Sequence, residues 1–97
     1  MATIEPDCAR AGEAWRCSVI VRDERGTSTH DVTVSDEDAT RLAAARDEDD
    51  VERLVYETFD FLLEREPKES ILRSFDLSVV SGYFPDYEHE IESRLAP

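Results

Sequence analysis

Lysine, glycine, histidine and cysteine are all scarce in this 97-residue chain, which has one Lys, two His, two Cys and three Gly. Lys68 and ten Arg make eleven cations against 24 acids, a formal charge of −13. Nucleic-acid affinity arises largely from cations that displace condensed counterions, so unaided DNA or RNA binding is not expected of such a chain, nor is docking on an anionic membrane. So few glycines make a phosphate-cradling backbone loop hard to build. Cys8 and Cys17 lie nine positions apart, whereas structural zinc sites usually begin with two ligands two to four residues apart, so no zinc knuckle can be read. No apolar run approaches the ~20 residues that cross a bilayer. The N-terminal MATIEPDCARAGEAW lacks the basic-then-apolar order of a secretory signal, and the expected setting is the cytoplasm. That setting in turn disfavours a Cys8–Cys17 disulfide.

What is present suits one small domain over residues 1–97, with residues 1–13 expected as a loose arm. In WRCSVIVR, Trp15, Cys17, Val19 and Val21 fall on one side, and in THDVTVS, His30, Val32 and Val34 alternate with polar residues. Both runs read as strands. DERGT between them, with Gly26, predicts a β-hairpin whose connection is longer than two residues. A lone hairpin is marginal in water, so it must rest on helices or extend its sheet through another chain.

Ser35 followed by Asp36, Glu37 and Asp38 is a helix start, because the hydroxyl can cap the first turn and acids there suit the helix dipole. A thin stripe of Ala39, Leu42 and Ala43 follows. Asp47, Glu48, Asp49 and Asp50 then break that helix and cap the next. In the second helix Val51, Leu54, Val55, Thr58, Phe59 and Leu62 keep helical spacing and predict the centre of the core. Pro67 can open a further helix through KESILRSF, burying Ile71, Leu72 and Phe75. Residues 75–83 fit either a short helix, the favoured reading, or a strand. A last helix follows Pro85, with Tyr87, Ile91 and Leu95 on one face. The fold class is therefore α+β, an N-terminal antiparallel hairpin packed on three to four helices. The stretch FLLEREPKESILRSFDLSVVSGYFPDYEHEI, residues 61–91, resembles a block found in small uncharacterised prokaryotic proteins. The resemblance implies a self-contained domain and no activity, ligand or catalytic residue.

Functional motifs are mostly excluded. A helix-turn-helix reading of residues 61–92 fails because Leu77–Phe84, the would-be reader, has no Arg, Lys, Asn or Gln to reach a base edge. The DEDD run lacks the spaced oxygens and central Gly of a calcium loop. His30 has no accompanying nucleophile elbow, and no catalytic, cofactor-binding or metal-binding residue is assigned. Residues 36–66 hold twelve acids against four cations, and this segment is the anionic face. Tyr83, Phe84 and Tyr87 cluster around Pro85, and Tyr is favoured at interfaces because its ring buries area while its hydroxyl stays polar. By elimination the chain reads as a small acidic protein-interaction module without catalysis, acting as a homodimer or on a basic protein. The expected surface comprises Trp15, Val19, Asp47, Asp49, Asp50, Tyr83 and Tyr87. Two alternatives stand: a mimic of nucleic-acid charge that occupies a basic DNA- or RNA-binding surface, and a small-molecule-binding or enzymatic domain using His30, Cys17 or Tyr83 in a pocket between hairpin and helices.

Overall fold

A computed structural model describes residues 1–96. Its sheet has four strands in the order β1-β2-β3-β4: β1 Thr3–Ala11, β2 Ala14–Asp23, β3 Gly26–Ser35 and β4 Ser74–Asp76. The first three form an antiparallel meander, and β4 lies parallel to β3. A parallel neighbour needs a crossover, here carried by helices α1 (Asp36–Ala43) and α2 (Glu48–Leu63). The chain closes with α3 (Val79–Tyr83) and α4 (Tyr87–Leu95). The α+β class is therefore as expected, with helices segregated to one face of the sheet.

The alternation read in β2 and β3 decides that face. Trp15, Cys17, Val19, Val21, Val32 and Val34 are all buried, and they meet Val51, Leu54, Val55, Phe59 and Leu62 of α2 in one core. Both helix starts are capped as their residues predict. Ser35 accepts from the Asp38 amide at 3.1 Å, and Asp47 accepts from the Asp50 amide at 3.0 Å. Helix α4 seals the bottom of the core with Tyr87 and Ile91. There the Tyr87 hydroxyl meets Thr58 Oγ1 at 2.7 Å, while Thr58 donates to the Leu54 carbonyl at 2.8 Å.

Four local expectations need correction. Residues 1–13 are not a loose arm, because residues 3–11 pair along their whole length with β2. The joining turn has two central residues, with Gly12 at φ +66 in the first, the position that a type II′ hairpin reserves for glycine. Cys8 and Cys17 are consequently directly opposite, 4.0 Å apart at Cα, and form a disulfide. The β2–β3 connection is also only two residues long, since Asp23 pairs with Gly26. Asp23 tightens it by accepting from the Arg25 amide at 2.8 Å. Finally, Pro67 opens a 3₁₀ turn, Lys68–Ser70, rather than a helix through Phe75. Ile71 is buried but Leu72 is 49% exposed, and residues 74–76 become β4. Residues 75–83 are thus part strand and part helix.

The hairpin's own two edges are taken up by β1 and, over three residues, by β4. The Cys8 amide points away from β2 and donates to Glu52 on α2 at 2.8 Å. By the two-residue alternation of an antiparallel pair, residues 4, 6, 8 and 10 of β1 turn their amides outward. Pro6 occupies one of these positions, where a missing N–H costs no ladder bond. On the other side β4 pairs with Asp31–Thr33 of β3. The Arg73 carbonyl also accepts from the Asp31 amide at 2.7 Å.

Candidate functional site

The turn at Pro67 leaves a depression between the C-terminal end of α2, the segment 70–72, β4 and α3. Its floor is Leu62, Ile71, Phe75, Val80 and Phe84, and it encloses about 190 Å³. Leu72, Val79 and Tyr83 form the rim together with Ser70 and Glu66. These three apolar rim residues are 49%, 36% and 69% exposed, and the other large apolar side chains comparably open to solvent are Tyr56 and Met1. Exposed apolar area is therefore concentrated at the groove rather than scattered, the pattern expected of a contact surface.

The groove wall is held from beneath. His30 is buried and tilts against Phe59, ring centroids 5.3 Å apart. Its Nδ1 lies 2.8 Å from the Leu72 carbonyl, which can only accept, so Nδ1 is the donor there, while Nε2 and the Ser28 hydroxyl pair at 2.8 Å. A fully satisfied core imidazole thus pins the backbone of a rim residue. Lys68 anchors the preceding turn. It is only 2% exposed, pairs with Asp23 at 2.8 Å and also contacts Glu69. These two carboxylates, Asp23 first, raise the ammonium pKa, and Lys68 in turn lowers both of theirs.

Electrostatically the groove is one-sided. Glu66 is its only charged lining residue. Arg65 stacks over the Phe61 ring at 3.6 Å and pairs with Glu64 and Asp86, while Lys68 is committed to Asp23 and Glu69. The Glu66 carboxylate thus has no cation among the described residues.

Of the surface expected from sequence, only part is surface. Trp15, Val19 and Tyr87 are buried, with Arg10 closing over the Trp15 ring at 4.8 Å. Burial pushes the Tyr87 phenol well above its ordinary pKa. Asp47 and Asp49 are exposed and Asp50 half-buried. Asp47 caps α2 and Asp50 accepts from the Arg46 amide at 2.9 Å, so these acids serve the helix end, and Asp47 and Asp49 line a second, more open and more polar depression with Trp15, Arg46 and Glu48. Tyr83 alone of the seven belongs to the groove. Leu72 and Val79 were missed because helical spacing assigned Leu72 to the core, and nothing in the local pattern marks Val79 as exposed. Among the described residues no group of three or more His, Cys, Asp or Glu is arranged to hold a metal ion. Nor, among the described residues, is any helix long and apolar enough to cross a membrane. No protein-family model, curated protein or solved structure matches the chain significantly, so the likeness of residues 61–91 to other small proteins adds no function.

Proposed function

We propose that the protein is a non-catalytic, acidic protein-interaction module whose contact surface is the groove rimmed by Leu72, Val79 and Tyr83. The observation that carries this reading is the coincidence of three of its five exposed large apolar side chains with an apolar depression. Size argues against a small molecule in this groove, since ligand pockets usually enclose about 300–1,000 Å³ and this one holds about 190 Å³. Nucleic acid is disfavoured twice over. The chain carries −13, and the uncovered sheet face presents residues such as Ser18, Ile20, Thr29 and Asp31 with no aromatic ring on which a base could stack.

We favour a partner protein over self-pairing, which would have to use an edge or face other than those read from the hairpin. β1 and β4 occupy the two edges of the β2–β3 hairpin, and Trp15 and Val19 face the core. Two chains of −13 also repel, which favours a basic protein partner over a second copy. A mimic of nucleic-acid charge would attract the same kind of partner but through the acids alone. Affinity capture at low and high salt with wild type, Leu72→Ser/Val79→Ser and Asp49→Asn separates the two. Partners retained at high salt and lost only with the groove variant support the module. Partners lost with salt and unaffected by the groove variant support the mimic.

A further inference from the structure

We infer that the groove takes a cationic segment of a partner protein, one that seats a single large aliphatic or aromatic side chain in the socket and places an arginine or lysine beside Glu66. The inference rests on the interaction-module reading and adds the partner's chemistry. Volume sets the anchor: an apolar cavity of about 150 Å³ accepts one benzene ring, so the present 190 Å³ admits one bulky side chain and little more. Charge sets the flank. Glu66 is the sole charged group of the lining, and the two cations nearest it in sequence are committed, Arg65 to Glu64 and Asp86 and Lys68 to Asp23 and Glu69. An incoming cation therefore meets an unpaired carboxylate at the edge of an apolar surface, where partial desolvation strengthens the attraction. The surrounding field has the same sign, because the whole chain carries −13. An acidic segment would be repelled on approach, and a second copy would bring another −13 with it. The rim residues lie on held backbone, with Leu72 pinned through His30 and Val79 and Tyr83 on α3, so docking needs little reordering of the socket.

The test uses the full chain and three short fluorescein-labelled peptides. One carries leucine and tryptophan anchors flanked by arginines, the second has the arginines replaced by glutamates, and the third keeps the arginines but has serines for anchors. Anisotropy gives affinity, and amide shifts of Leu72, Val79, Val80 and Tyr83 report where each peptide sits. The first peptide is expected to bind at the groove at least about tenfold more tightly than either of the others, the loss of a buried apolar anchor alone being worth that much. Glu66→Gln should weaken it by about two- to fivefold and flatten its salt dependence, as for one partly exposed ion pair, while Asp49→Asn, which removes the same charge elsewhere, should not. Equal binding of the serine peptide, or equal weakening by Asp49→Asn, overturns the inference in favour of a diffuse field. If the glutamate peptide shifts the groove signals with equal affinity, the cationic partner is wrong and the contact surface stands. If no peptide moves those signals, both the partner and the contact surface are refuted.

Discussion

Replacing Cys8 and Cys17 together with alanine tests whether the first strand is held by a covalent tie or by its pairing alone. The disulfide closes a short loop, with a sequence separation of nine. In the chain-entropy description a link over nine residues withdraws about 8.7 cal/mol/K from the unfolded chain, or about 2.6 kcal/mol at 25 °C. Both side chains are only 2% exposed, so deleting two buried sulfurs adds a packing loss, bringing the expected destabilisation to about 3 kcal/mol. For a chain this short that corresponds to a fall in Tm of roughly 10–20 °C. Urea unfolding followed by far-UV circular dichroism should show the lower midpoint. It should also show a larger m-value, because the untied unfolded chain exposes more surface. The oxidised wild type should match the mass of a chain lacking two hydrogens, and reduction after unfolding should bring it to the behaviour of the variant. A loss under about 1 kcal/mol with an unchanged m-value would refute the reasoning, since it would mean the tie does not restrict the unfolded ensemble.

Truncating the fully buried Phe59 or the nearly buried Leu62 should cost about 3–5 and 2–5 kcal/mol respectively in urea melts. By contrast Tyr87→Phe should cost only about 1 kcal/mol, because Thr58 keeps its bond to the Leu54 carbonyl when the phenol hydroxyl is lost. Ala44 ends α1 at φ +49, a left-handed conformation that disfavours any side chain, so Ala44→Gly should raise stability by about 1 kcal/mol. The pH dependence should have two limbs. Hydrogen bonds from Arg10, Arg94 and Arg41 hold Asp36, Glu64 and Glu88 below their ordinary values of 3.8 for Asp and 4.5 for Glu. Their stabilisation is present above the unfolded values and is lost as pH falls through the folded ones, so urea midpoints should drop in the acid range and Arg94→Gln should flatten that drop. Tyr87 is shifted the other way by burial, from 10.0 upward. Its contribution is complete below pH 10 and is lost above it, so wild type should lose stability in alkali more steeply than Tyr87→Phe.

The elements legible in the sequence are those whose evidence is local. The apolar spacing from Val51 to Leu62 is itself the buried face of α2, because 3.6-residue periodicity leaves no other face to bury. Ser35 and Asp47 mark helix starts because a side-chain oxygen reaches an amide three residues away whatever the rest of the chain does. Alternation in β2 and β3 likewise depends only on strand geometry. The acidic balance, and with it the disfavour towards nucleic acid, needs no fold at all. Tertiary structure alone decided the rest. β1 carries Pro6 and three charged residues and buries only Ile4 and Cys8, so its strand character comes from β2, whose open edge supplies the bonds. The disulfide follows from that register, which residue spacing does not contain. Ile71, Leu72 and Phe75 mimic a helical stripe, yet pairing of Ser74–Asp76 with β3 draws the chain into an extended path and turns Leu72 outward. The groove exists because of that turn. Its walls come from α2, segment 70–72, β4 and α3, and which apolar side chains stay uncovered depends on how those pieces meet in space, a quantity that no window along the chain encodes.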